Sequence, residues 1–315
     1  MNRLALLTNA ASGGNRGRRW SLLEGLELEH FVTDDVDELP GAVDELLSSR
    51  PDALAVNGGD GTLQTLLSAF AQRDALAALP PLAVLPGGTT NMSAQDLSGG
   101  GSWRRALNAY MSLARTPRRD WPLSERPVVQ VRAADGRRQA GLFFGMGSVV
   151  RGVELWQRSL RRRARARDWG VGAAVARTAW GLARKDTSFV SHAKLTMAFD
   201  DQPPQPAEVS ALMVTSLRRL FLGMRPYWGD GSGPLACTWM EVRPERFMLR
   251  LPLLLWGRGD RVPGDAGYHS FRASRLVLEV DAPYLLDGEV HAPGGSLEIN
   301  ASRDLSFVTL NGGRR

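Results

Sequence analysis

Gly58, Gly59, Asp60, Gly61 and Thr62 stand between a short apolar run, Ala53 to Val56, and a pattern that repeats Leu63, Leu66, Leu67 and Phe70 at helical spacing. The run predicts a buried parallel strand, and the pattern predicts a helix with Thr62 as its N-cap. A strand, a glycine turn and a helix N-terminus together suit an anion. The first-turn N–H groups have no intrahelical acceptor, the helix dipole adds partial positive charge, and glycines let the backbone come close to a phosphate. Asp60 is out of place in a loop that only holds phosphate. A divalent cation lying between its carboxylate and the phosphates accounts for it. Taken alone, Gly-Asp-Gly is also an ordinary turn sequence.

The same construction recurs twice. Arg3 to Thr8 reads as a buried strand and runs into Asn9-Ala-Ala-Ser12-Gly13-Gly-Asn15, while Pro81 to Leu85 runs into Pro86-Gly87-Gly88-Thr89-Thr-Asn91. In an open parallel sheet, ligands sit beyond the carboxyl ends of the strands. Three small-residue loops at that edge go beyond what turns require. Late in the chain, Leu286-Asp287-Gly288-Glu289 carries the short-range signal of a tight hairpin and keeps two carboxylates in it.

The elements that must position these residues fall into two groups. Over residues 1–117 strand and helix patterns alternate, which predicts a parallel α/β domain. From 118 to 302 short alternating segments predict an antiparallel β-sandwich: Pro127–Ala133, Ala140–Gly145, Phe189–Phe199, Val209–Leu217, Phe247–Leu251, Arg275–Val280 and Ser296–Asn300. The boundary is placed at Thr116–Pro117. A helical insertion over 149–184 interrupts the sandwich. It holds Arg158, Arg161, Arg162, Arg163, Arg165 and Arg167, then Trp169 and Trp180. Such a segment is either an arginine-solvated surface helix or an element that meets anionic headgroups. The apolar Leu251–Trp256 segment reads as a strand or as part of an acyl pocket.

Composition narrows the class. The 315 residues are 43% hydrophobic and 23% charged, with a net charge of +6 carried almost wholly by arginine, since Lys185 and Lys194 are the only lysines. This points to an anionic partner. No nucleic-acid motif accompanies the basic stretch, so nucleic acid is excluded as that partner. Cys237 stands alone and the four histidines are scattered, which excludes a disulfide framework and a Cys/His metal site. No apolar run approaches the roughly 20 residues of a spanning helix. The expected location is cytoplasmic, with peripheral membrane contact left open. A homodimer paired through a sandwich edge also stays open.

Asn9-x-x-Ser12-Gly13, Gly58-Gly-Asp-Gly-Thr62, Pro86-Gly-Gly-Thr-Thr-Asn91 and Leu286-Asp-Gly-Glu289 occur in an order and spacing that resembles the diacylglycerol kinase catalytic-domain family. That family includes sphingosine, ceramide and bacterial lipid kinases. The resemblance implies an ATP-dependent lipid kinase using Mg²⁺, with a lipid substrate met at the membrane surface. It implies that Asn9, Ser12, Gly13, Gly58, Gly59, Asp60, Gly61, Thr62, Gly87, Gly88, Thr89 and Asn91 bind ATP. Asp287 becomes the general base on the lipid hydroxyl, with Glu289 assisting at the nucleotide. Asp60 holds Mg²⁺ through water. Met92 stands where most members carry an aspartate of the Mg²⁺ network, so Asp96, one helical turn on, and Asp120 are expected to complete it. The resemblance also implies an active site in the cleft between the two domains and a return of 303–315 to the first domain. Two other readings stay open. Gly-Gly-Asp-Gly-Thr is shared with NAD kinases, which act on a soluble substrate, and Met92 with the altered 229–240 loop suits a non-catalytic lipid- or nucleotide-binding protein.

Overall fold

The structure is a computed structural model that describes residues 1–17, 28–35, 38–151 and 192–310. The arginine stretch 158–167 and nearly all of the expected 149–184 insertion lie outside the described residues.

The first sheet is built on four parallel strands, β1 (Leu4–Asn9), β2 (Glu29–Thr33), β3 (Ala53–Gly58) and β4 (Leu82–Pro86), in the order β2-β1-β3-β4. β1 and β3 are buried along their whole length, as continuous apolar runs require when helices cover both faces. The covering helices are α1 (Leu39–Ser49), α2 (Asp60–Gln72), α3 (Met92–Leu97) and α4 (Trp103–Ser112). Alternate strand residues serve the two faces. Ala5, Leu7, Leu54 and Val56 pack with α1 and α2, and Leu4, Leu6, Ala53 and Ala55 pack with α4. The Tyr110 hydroxyl of α4 donates to the carbonyls of Ala5 and Ala53 at 2.7 and 2.8 Å, fixing that helix across the sheet.

Two strands complete this sheet. β17 (Leu305–Val308) lies parallel to β4, and β5 (Leu123–Arg126) pairs antiparallel with β17 at the edge. The boundary expected at 117 therefore falls past Arg126. Leu-Ser-Glu-Arg alternates like any half-exposed strand, and nothing local assigns it to one sheet or the other.

The second sheet contains β6 (Val129–Ala133), β7 (Arg138–Gly141), β8 (Phe143–Gly147), β9 (Ala193–Phe199), β10 (Gln205–Thr215) and β11 (Leu235–Glu241). It continues with β12 (Tyr268–Ala273), β13 (Arg275–Val280), β14 (Tyr284–Leu286), β15 (Glu289–His291) and β16 (Gly295–Ala301). These eleven antiparallel strands form one continuous sheet, with β11 and β12 branching from β10. It curls on itself, so Val131 of β6, Leu212 of β10 and Leu286 of β14 share one core. The strands over 235–241 and 268–273 escaped the sequence reading.

The segment expected as a strand, Phe247–Leu251, instead opens a fifth helix, α5 (Phe247–Leu255). No β-branched residue occurs from Phe247 to Trp256, and Leu, Met and Arg are good helix formers. No helix among the described residues is long and apolar enough to cross a membrane.

The two halves share a core on the α2 side. Leu63, Leu66, Leu67 and Phe70 of α2 belong to the same apolar cluster as Ala140, Leu142, Phe143 and Leu285, and burial of each such side chain contributes about 1.5–3 kcal/mol. One polar contact sets the register. The Ser68 hydroxyl accepts from the Ala140 N–H at 3.0 Å and donates to the Ala140 carbonyl at 3.2 Å. Replacing Ser68 by alanine leaves both backbone groups buried without a partner. Urea unfolding of Ser68→Ala is expected to show a loss of about 1–3 kcal/mol, and a loss below about 0.5 kcal/mol overturns this account of the docking.

Candidate active site

The three glycine loops meet at the carboxyl ends of β1, β3 and β4, and they are held together backbone to backbone. The Gly14 N–H and the Ser12 hydroxyl both donate to the Gly87 carbonyl at 2.9 Å. A side chain at Gly88 would collide with the Cα of Gly59, and one at Gly58 with the Thr62 side chain. Glycine is thus required here for close approach. Gly13, Gly59, Gly61, Gly88 and Thr89 stay accessible around the resulting hollow.

Helix α2 begins at Asp60, with Gly59 in extended conformation as its N-cap. The expected cap, Thr62, instead lies inside the first turn, buried. Its hydroxyl accepts from the Asn9 amide at 3.1 Å, which ties the first loop to the second. Asn91 adopts a left-handed backbone, and its side-chain amide bonds both the N–H and the carbonyl of Gly88. The side chains of Ser12, Thr62 and Asn91 therefore shape the loops from within.

Two residues that the sequence reading missed do the same work. Asn15 donates to the carbonyls of Asn9 and Asn57 at 2.9 and 3.0 Å, and the Asn57 side-chain carbonyl accepts from the Trp103 indole at 2.9 Å. Asn15 and Asn57 are buried. The available signal was an asparagine closing a fully apolar strand, because a buried amide must be satisfied by neighbouring backbone.

Asp60 sits where the loops converge. Its carboxylate accepts from the Thr90 hydroxyl at 2.8 Å and from the N–H groups of Met92 and Ser93 at 3.2 and 2.8 Å. It thereby joins the second loop to the start of α3.

Asp287 approaches from the second sheet. Asp287 and Gly288 both have positive φ, 46° and 99°, and form the two-residue turn between β14 and β15. The hairpin signal and the carboxylate signal thus describe the same structure. The side chain turns inward, leaving Asp287 only 6% exposed, and its two oxygens accept from the N–H groups of Leu142 and Phe143 at 2.8 Å each. A side chain at Gly141 would strike this carboxylate. Burial pushes its pKa up from 3.8 to about 8; the nearby Asp60 charge adds to the rise and the two backbone N–H groups oppose it. Glu289, exposed on the far side of the turn, brings an oxygen within 3.5 Å of the position a side chain would take at Gly61. Asp60, Gly61, Asp287 and Glu289 therefore face one another across the cleft.

The other two expected Mg²⁺ residues do not join them. Both oxygens of Asp96 are taken by the N–H groups of Arg218 and Arg219, at 2.9 and 3.1 Å, with the Arg126 guanidinium 3.8 Å away. One helical turn is enough to carry position 96 off the loop and into the contact between the two halves. Asp120 is exposed at the opposite edge of the first sheet, where its neighbour Arg118 pairs with Asp52 just ahead of β3. The six residues of β3 separate the two edges by about 20 Å. Among the described residues no three acidic, histidine or cysteine side chains form a ready metal cage. The donor set that does converge, Asp60 and Glu289 beside open backbone N–H groups, suits a hard cation shared with phosphate oxygens. Mg²⁺ is usually bound through one or two carboxylates plus substrate phosphates.

The class defined by this fold and site is visible in known proteins. Residues 3–118 match the family model described as the diacylglycerol kinase catalytic domain, so the resemblance read from the motifs holds over that segment. A curated relative from Stenotrophomonas maltophilia (strain K279a), named "Probable lipid kinase YegS-like", is 36% identical over 94 residues. That match covers 28% of this chain and 30% of the relative, so the chain aligns with under a third of that protein's length. The fold extends the likeness to the whole chain. A crystal structure of a diacylglycerol kinase from Bacillus anthracis str. Sterne superposes with a TM-score of 0.61, at 16% identity, over 98% of this chain and 97% of that one. Two further solved structures from that organism reach 0.65 with the same coverage and identity.

The shifted Asp287 has a consequence for stability. Its folded pKa, about 8, lies above the unfolded value near 3.8, so the folded state holds the proton more tightly. The stability this group contributes is complete below pH 3.8 and is lost as pH rises through 8. Melting temperatures between those limits should therefore fall more steeply with pH in the wild type than in Asp287→Asn. Parallel slopes overturn the assignment.

Proposed function

We propose that this protein is an ATP-dependent lipid kinase that phosphorylates a hydroxyl of a diacylglycerol-, phosphatidylglycerol- or sphingoid-like lipid. One observation carries the reading: a buried carboxylate, Asp287, is held on a hairpin turn directly across from the glycine loop that begins α2.

Phosphoryl transfer asks little covalent chemistry of a protein. It requires alignment of the acceptor oxygen, neutralisation of charge and a base for the departing proton. The accessible backbone around Gly13, Gly59, Gly61, Gly88 and Thr89, with the N-terminus of α2, binds the polyphosphate of ATP. Asp60 and Glu289 hold the accompanying Mg²⁺, Asp60 through water because its oxygens already serve Thr90, Met92 and Ser93. The bound cation supplies charge neutralisation at the transferred phosphoryl group. Asp287 accepts the proton of the lipid hydroxyl as that oxygen bonds to phosphorus and the bond to the ADP oxygen breaks. A base is most effective when its pKa lies near the working pH, and burial has moved Asp287 into that range. The Leu142 and Phe143 N–H groups fix the carboxylate and leave one lone pair on each oxygen for the substrate.

The test is ADP release with Mg-ATP over a panel of micellar lipids, comparing wild type with Asp287→Asn. Lipid-dependent turnover should fall by more than about a hundredfold in the variant while ATP binding is kept. Turnover unchanged by the substitution removes Asp287 as base. ATP binding without turnover on any lipid removes the lipid-kinase reading.

A further inference from the structure

Helix α5 is apolar on two opposite sides, and only one is covered. Leu254 faces inward and packs with Ala266 and Tyr268, supported by Trp228, Met240, Phe247 and Val262. At 100° per residue, Met248, Leu249, Pro252 and Trp256 fall within an arc of about 100° on the other side. All four are exposed, Leu249 at 75% and Trp256 at 63%. The neighbouring segment adds Leu222, 66% exposed. It is anchored beside the helix by the Arg225 N–H, which donates to the Leu255 carbonyl at 2.8 Å. Four of the eight large exposed apolar side chains among the described residues, Leu222, Met248, Leu249 and Trp256, gather in this one region, and a contiguous patch of that kind marks an interaction site.

Its surroundings identify the partner. Between residues 243 and 261 there are five arginines and two carboxylates. Arg243, Arg246, Arg258 and Arg261, with Arg225 alongside, are exposed and make no ion pair among the described residues. The acidic groups are Glu245, already paired with Arg250 at 3.3 Å, and Asp260, with Asp265 further on. A second copy of the chain docking here would press arginine against arginine. Anionic lipid satisfies both parts of the patch, because leucine, methionine and tryptophan enter the acyl boundary while guanidinium groups bond headgroup phosphates.

We propose that the outer face of α5, with Leu222, is a membrane-docking surface that seats the protein on anionic bilayers. The patch shares no residue with the cleft, and it gives the kinase reading a route to a lipid substrate without depending on it. The test uses the full chain without nucleotide, sedimented with phosphatidylcholine vesicles or with vesicles containing phosphatidylglycerol. Wild type should bind the anionic vesicles, less at high salt. Leu249→Glu combined with Trp256→Glu should lower the bound fraction by at least about tenfold with the melting temperature unchanged, since both side chains already face solvent. A polarity-sensitive dye on Leu249→Cys should shift to the blue on binding, and the buried Cys237 stays unlabelled. Equal vesicle binding by the double variant overturns the proposal, as does a wild type that binds neither vesicle. A wild-type dimer that the double variant converts to monomer overturns it in favour of contact between copies. Loss of kinase activity on every lipid with vesicle binding intact would strike the proposed function and leave this surface standing.

Discussion

Helix α2 fixes the distance between the two halves of the candidate site. Its first residue, Asp60, belongs to the glycine loop, and Ser68, about 12 Å along its axis, is bonded to Ala140 on β7. β7 ends at Gly141, next to the two N–H groups that hold Asp287. A rigid rod thus links the glycine-loop edge of one sheet to the carboxylate on the other. The shared apolar cluster around Leu66, Phe70, Leu142 and Leu285 keeps the rod from tilting. The bulk of the protein can be regarded as the support for that one measured gap.

The electrostatics follow from the same geometry. A basic chain gathers acidic side chains at its cleft, and the protein tolerates them differently. Asp60 keeps company with three donors and stays within reach of solvent, whereas Asp287 loses almost all water and accepts only two N–H groups. Two carboxylates so placed repel each other, and the interaction is relieved by a proton on Asp287 or by a cation between them. The cleft is therefore strained electrically when empty of positive charge, which is the condition a site for a metal–polyphosphate complex should meet. Asp96 has been drawn into a different role, joining the halves through Arg218, Arg219 and Arg126.

How much of this was legible depended on whether the signal was local. β1, β3 and β4 read correctly because a short apolar run followed by glycines has few alternatives, and the hairpin at Asp287-Gly288 was visible because two residues suffice to signal it. Thr62 looked like a cap because its residue type suits one, but the helix could start two residues earlier once Gly59 was extended. Position 120 depended on which end of the sheet the chain had reached, and no residue near it records that. β5 was ambiguous for the same reason. α5 misread because a run of leucines is apolar at every period, so only the lack of β-branching argued for helix. Asn57 left a trace as an asparagine closing an apolar strand, but the partners of Asn15 and Asn57 exist only when three distant loops touch.

The first sheet carries a further consequence in its strand order. Its most N-terminal elements are closed by β17, which arrives some 220 residues after β4 and separates it from β5. During synthesis the edge of β4 stays open, with unpaired backbone groups, until nearly the whole second sheet has emerged. The first sheet is thus finished after the second, although its strands come earlier in the sequence. Such long-range closure is slow, and an open edge invites pairing with other chains. The order of assembly runs against the order of the sequence, and an incomplete first sheet must be sheltered while the second one forms.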